Sequence, residues 1–165
     1  MQPVRLAHVG PSRGFTLIEL VVTLAILAVL AAAVLPVAET TVQRQREQEL
    51  RLALREIRSA IDAYKRAFDE GRIARTANAT GYPPTLAMLV EGVDDQRDPR
   101  RRKIYFLRRL PGDPMSPLPA TDSAATWAKR SYASGPLEPK EGDDVYDVAS
   151  RSQRVGLNGV PYAQW

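Results

Sequence analysis

One carboxylate is out of place in this chain. Glu19 is the only charged residue in the run FTLIELVVTLAILAVLAAAVL, residues 15–35. An acid in such a run costs about 2.5 kcal/mol or more at the centre of a bilayer, and less near its edge. The chemistry open to it is charge neutralisation, for which it needs a cation. A cut after Gly14 would supply one, because Phe15 would then carry a free ammonium group four residues before Glu19. Amine and carboxylate on adjacent molecules could neutralise each other where water is scarce.

Other chemistry is thinly represented. The chain has no cysteine, which excludes disulfides and thiolate metal sites but not export. Its single histidine, His8, precedes the proposed cut. The mature chain can therefore build neither a histidine-dependent catalytic triad nor a multi-histidine metal site. Asp62, Asp69, Asp113 and Asp147 have no spacing that brings two of them to one site, as general acid–base work requires. No glycine-rich phosphate loop follows a strand pattern, and an enzyme is not expected. Arg5 and Arg13 lie in the leader, and removing them from the 23 basic residues leaves 21 against 19 acidic, a net charge of +2. That balance gives no bulk attraction to nucleic acid.

The elements that must carry these residues follow from periodicity. As a helix, residues 15–35 would be about 31 Å long, enough to cross a hydrocarbon core. Two arginines precede the run and no acid does, which keeps the short leader cytoplasmic. Past Pro36, which can bend a helix, Leu50, Leu54, Ile57, Ile61, Tyr64 and Phe68 recur every three or four residues on one face. The stripe is expected to pack on its own domain rather than in a free coiled coil, and Gly71 closes it. Thr85 is the expected N-cap of a short helix through Val90. Pro111, Pro114, Pro117 and Pro119 predict an extended loop. Strands are expected at 129–133, 145–149 and, more weakly, 155–157, with a turn at Asn158-Gly159. Trp165 is expected to dock the end of the chain. The class is α+β: a long N-terminal helix with a small antiparallel sheet.

Two simpler accounts of the N-terminus leave Glu19 unexplained: a secretory signal cut near Ala31-Ala32-Ala33, and a plain signal anchor. The junction Gly14-Phe15-Thr16-Leu17-Ile18-Glu19 closely resembles the processing motif of type IV pilins and type II secretion pseudopilins. The resemblance implies cleavage between Gly14 and Phe15 by a prepilin peptidase, N-methylation of Phe15, a packing role for Glu19 and a helix bend at Pro36. Further on, Gly81-Tyr82-Pro83-Pro84-Thr85-Leu86, Leu110-Pro111-Gly112-Asp113-Pro114, Arg130-Ser131-Tyr132 and Trp165 look like the major, G-type pseudopilin of type II secretion. The type IV pilin-like fold then implies a leader at 1–14, a transmembrane or filament-core half-helix at 15–35, an amphipathic half at 36–70 and a small periplasmic domain at 71–165.

By the same resemblance the protein is a single-pass component of the bacterial inner membrane that polymerises into a pseudopilus. The implied partners are further copies of itself, minor pseudopilins, the prepilin peptidase, an inner-membrane assembly platform, an outer-membrane secretin, and lipid before assembly. Many G-type subunits bind calcium near the C-terminus. The corresponding residues 150–156 have no acid and two arginines, which leaves Asp143, Asp144 and Asp147 as weak ligand candidates. Their pattern equally suits a solvated turn and a strand start. The run Arg100-Arg101-Arg102-Lys103, with Arg108 and Arg109, stands beside Tyr105 and Phe106 as DNA-binding surfaces do. Asp94, Asp95 and Asp98 interrupt its field, so a solvated loop facing acids of neighbouring subunits is the simpler account and nucleic acid is not expected. The alternatives are a surface type IV pilus subunit, a DNA-uptake pilus subunit, and a membrane-anchored DNA- or substrate-binding module.

Overall fold

The computed structural model describes residues 14–77, 79–116, 122–135 and 138–165, without the side chains of 33–38. The chain divides into two compact units, residues 1–41 and 42–165. The architecture is α+β, with small antiparallel sheets.

In the first unit, helix α1 (Leu17–Asp69) begins directly after Thr16. The Thr16 hydroxyl accepts a hydrogen bond from the Glu19 N–H at 3.3 Å. It satisfies one of the donors that every helix start leaves open. Glu19 lies in the first turn, where a negative charge suits the helix dipole.

In the second unit, the apolar stripe of α1 becomes the core. Leu50, Leu54, Ile57, Ile61 and Tyr64 are buried, and Phe68 packs at the edge of the same cluster. Trp127, Val148, Leu86, Leu89 and Tyr162 fill it from the rest of the unit. Gly71 ends the helix as expected, at φ +70°. Its N–H donates to the Phe68 carbonyl, and the Arg72 N–H to that of Ala67, both at 2.9 Å. These two bonds form the left-handed helix stop that glycine accepts without strain.

Helix α2 (Ala87–Glu91) starts differently from expectation. Its N-cap is Leu86, in helical conformation and without a side-chain cap, not Thr85. Burial of Leu86 at 1% exposure fixes this end through the core. Strands β1 (Val93–Asp94) and β2 (Lys103–Ile104) then form a two-residue antiparallel pair, which the sequence reading missed. Asp122 caps helix α3 (Ser123–Thr126) by accepting from the Ala124 N–H.

Strands β3 (Trp127–Arg130) and β4 (Asp147–Ser150) pair antiparallel, with Trp127 opposite Ser150 and Arg130 opposite Asp147. Both are displaced from the expected 129–133 and 145–149. Past Arg130 the backbone leaves the ladder: the Ser131 N–H donates to the Lys140 carbonyl and the Tyr132 N–H to the Asp144 carboxylate, both at 2.9 Å. The Val145 N–H donates to Pro83 instead of to a strand. The third expected strand reduces to one bridge, Val155 to Pro161, closed around the Asn158-Gly159 turn. Pro111 and Pro114 flank buried Asp113 in irregular backbone, while Pro117 and Pro119 lie outside the described residues.

Ile57→Ala is expected to destabilise the chain by about 2–5 kcal/mol, through lost burial and the cavity left behind. Leu52→Ala, on the exposed side of the same helix, should stay within about 0.5 kcal/mol. Urea unfolding followed by the fluorescence of buried Trp127 checks both.

Candidate functional site

The processing junction stands free of its surroundings. Among the described residues, a Cβ placed on Gly14 would meet no atom within 4 Å. Phe15 is 82% exposed and Glu19 is exposed, with no ion-pair partner among the described residues. Every large apolar side chain from Phe15 to Leu30 is also exposed. A helix apolar on all sides has no stable state in water as a monomer, so this segment needs lipid or other protein around it. Pro36 lies within α1, but its side chain, and with it the expected bend, lies outside the described residues. Among the described residues no helix is long and apolar enough to cross a membrane.

The three aspartates weighed as metal ligands are separated by the fold. Asp143 is exposed. Asp144 is buried and accepts from the Ser131 hydroxyl at 2.6 Å, the Tyr132 N–H at 2.9 Å and the Thr80 hydroxyl. Burial pushes its carboxyl pKa up, but the bonds from Ser131, Thr80 and the Tyr132 N–H outweigh that and hold it below the ordinary value. Asp147 is taken by arginines: Arg58 Nε at 2.8 Å and Arg130 Nη2 at 3.6 Å. Among the described residues no three acidic or histidine side chains form a group fit to hold a metal. These residues do not suit a calcium cage, which needs six to eight oxygen ligands.

An internal cation already occupies part of this region. Besides Asp147, the Arg58 guanidinium donates to the backbone oxygens of Val148 at 3.0 Å and Trp165 at 2.7 Å. One carboxylate and two backbone oxygens thus converge on a cation carried by α1. The Trp165 indole packs edge-on to Tyr162 at 5.0 Å, and the Arg51 guanidinium lies over it at 4.5 Å. The expected docking of the chain end is therefore made by its ring and its backbone together.

The aspartates considered for acid–base work do not converge either. Asp69 pairs with Lys65 on its own helix, and Asp62 is exposed. Asp113 is buried, accepting from the Met115 N–H at 2.8 Å and the Ser150 hydroxyl at 2.6 Å. In the basic run, Arg102 pairs with Asp98 at 2.6 Å and Lys103 donates to the Glu91 carbonyl. Arg72 holds Asp95 at 2.6 Å. Its hydrogen bond, with the Arg97 N–H, lowers the Asp95 pKa; the Arg100 N–H and Arg102 do the same for Asp98. Arg100, Arg101, Arg108 and Arg109 are exposed.

Several organising residues escaped the sequence reading. Buried Glu47 accepts from the Leu157 N–H at 2.7 Å and the Tyr162 hydroxyl at 2.9 Å, anchoring the last loop to α1. Its position near the buried stripe, one turn before Leu50, was the available signal. Thr16 was readable as well: Thr16-Leu17-Ile18-Glu19 has the Thr-x-x-Glu spacing of a helix start.

Residues 11–35 match the family described as the prokaryotic N-terminal methylation motif. No curated protein and no solved structure matches the chain. The motif supports a type IV pilin-like class, a pilus or pseudopilus subunit cut by a prepilin peptidase, and is consistent with inner-membrane anchoring.

Two solution experiments test this geometry. Calcium and chelators should leave the melting temperature of the chain unchanged, whereas Arg58→Met should lower stability by about 1–3 kcal/mol through three lost charge-assisted bonds, less any solvent screening. Asp144, Asp95 and Asp98 are all lowered on folding. Their contribution is complete above about pH 4, the unfolded carboxylate value, and is lost as pH falls from there through the folded values. Asp144→Asn should reduce stability at neutral pH and flatten the acid limb of a melting-temperature profile.

Proposed function

We propose that this chain is a structural pseudopilin of a type II secretion pseudopilus, polymerising through its N-terminal helix to help drive folded proteins across the outer membrane. The observation that carries the reading is the exposed apolar stretch from Phe15 to Leu30 with one unpaired carboxylate, Glu19, beside the processing junction. Subunits wait in the inner membrane with the C-terminal unit in the periplasm. They dock by pairing the freed Phe15 amine of one copy with Glu19 of another, and leave lipid as their helices pack in the filament core. Each pairing removes a charge from an apolar medium, so it favours assembly over the isolated subunit. The role is mechanical rather than catalytic, and a cytoplasmic ATPase acting through a membrane platform supplies the energy.

The choice of type II secretion over a surface or DNA-uptake pilus rests on the resemblance of residues 81–86, 110–114, 130–132 and 165. The exposed arginines at 100, 101, 108 and 109 support the DNA-binding alternative, and DNA retained at moderate salt but lost on neutralising Arg100 to Arg102 would favour it.

Intact-mass analysis of the exported protein is the direct test, with a start at Phe15 plus one methyl group expected and a start near Ala33 contradicting the reading. Gly14→Val should leave the precursor uncut. Because a Cβ there meets nothing, that failure would report peptidase recognition, not misfolding. Glu19→Ala should be processed normally yet give little filament in a shearing and sedimentation assay; an undiminished yield would remove the ion-pair mechanism.

A further inference from the structure

Between residues 44 and 56, charge on the outer side of α1 falls into two stripes; further along, exposed Asp62 stands at the angle of Arg44. At about 100° per residue, Arg44 and Arg51 lie within about 20° of each other, and so do Glu49 and Glu56. The stripes stand on opposite flanks of one exposed face, about 140° apart, with Leu52 between them at 61% exposure. None of the four has an ion-pair partner within 4 Å among the described residues. The helix supplies Glu56 with nothing, since Leu52, Ala53, Ser59 and Ala60 stand three and four residues away, while Glu49 accepts from the Gln45 amide at 3.2 Å and forms no pair with Arg46 three residues back. Arg51 has buried Glu47 one turn back, but that carboxylate is turned to Leu157 and Tyr162. The Arg51 guanidinium is held in place over the Trp165 ring, which leaves its donor edge preorganised for a carboxylate from outside.

We propose that this face of α1 is a contact between copies of the chain pointing the same way, with Arg44 and Arg51 of one copy meeting Glu49 and Glu56 of the next. The inference rests on the polymer reading above and adds to it a specified surface and orientation. Two parallel helices facing each other place the left flank of one against the right flank of the other. Here that sets arginine against glutamate on both sides, as flanking charges do in parallel helix pairs. An antiparallel approach sets arginine against arginine, which is repulsive. The charges therefore select the orientation that subunits sharing one membrane topology must adopt.

The test uses the full-length chain, exported and processed in cells, with polymer measured by shearing and sedimentation. Arg51→Glu and Glu56→Arg should each lower polymer yield about tenfold through like-charge contact, and the double variant should recover most of it. Singles that assemble as wild type, or a double that stays as poor as the singles, overturn the proposal. Because Arg51 also packs on Trp165, a second measurement avoids it. The chain has no native cysteine, so co-expressed Arg44→Cys and Glu49→Cys copies should form a disulfide-linked dimer on mild oxidation, and an Arg44→Cys with Arg109→Cys pair should not. Absence of the first cross-link in chains that assemble normally overturns the contact. If the wild-type chain forms no polymer, or Glu19→Ala assembles normally, the parent reading falls instead, and the Arg44–Glu49 cross-link alone then decides the contact.

Discussion

An ionised carboxylate within an apolar helix must reach water, take up a proton or find an opposite charge. Glu19 is placed where the last of these needs a second molecule, since no cation of its own chain pairs with it among the described residues. Surrounding it are apolar side chains with nothing packed on them. Both features are unfavourable for a lone subunit, and association relieves both. Apolar surface supplies attraction without direction, while in the proposed assembly the single charge supplies register, because only one axial offset would bring the Phe15 amine of another copy to it. Thr16 holds the helix start on which Glu19 sits, so that charge is presented from a fixed turn and not from a frayed end.

The second unit solves a different problem, which is how to hold long irregular segments without cysteine. Buried carboxylates do it. Glu47 gathers the last loop, Asp113 ties the proline-bounded segment to β4, Asp144 joins residues 80, 131 and 132, and Asp95 closes the turn before β2. Each acid accepts two or more donors, mostly hydroxyl or backbone N–H groups with Arg72 on Asp95, so desolvation is offset locally. No buried side-chain polar atom lacks a partner among the described residues. Arg58 works with the opposite sign, joining β4 and the chain end to α1 through oxygen acceptors. A fixed guanidinium of this kind gives Asp147 its counter-charge within the fold.

Long-period features were legible in the sequence because they depend on many residues at once. The apolar run, the amphipathic stripe from Leu50 to Phe68 and the glycine stop at Gly71 each follow from spacing alone, and the structure places the stripe in the core. Short features were not. Two-residue strands such as β1 and β2 carry no period to read, and Leu86 starts α2 through burial where Thr85 offered the better capping chemistry. The shift of β3 and β4 has a local cause, since the backbone N–H groups that a longer ladder would have used go elsewhere: Ser131 to the Lys140 carbonyl and Tyr132 to Asp144. Of the candidate site, the methylation motif was readable because its residues are consecutive. The contacts of Asp144 with residues 80, 131 and 132 and of Asp147 with Arg58 were not, since those partners lie 12 to 89 residues away.

The distribution of unpaired charge separates what the fold needs from what it leaves available. Asp95, Asp98, Asp144 and Asp147 are consumed internally, and their removal would be felt as instability. Glu19, Arg44, Arg51 and Glu56 form no ion pair among the described residues, although Arg51 packs over Trp165 and Glu19 suits the helix start. Random surface charge would be expected to mix signs around the helix, because a mixed face gains from pairs three and four residues apart. Sorting like charges onto separate flanks gives up that gain. In the proposed contact that gain is recovered because the opposite flank belongs to another molecule, the same condition that the proposed pairing of Glu19 sets at the start of the helix.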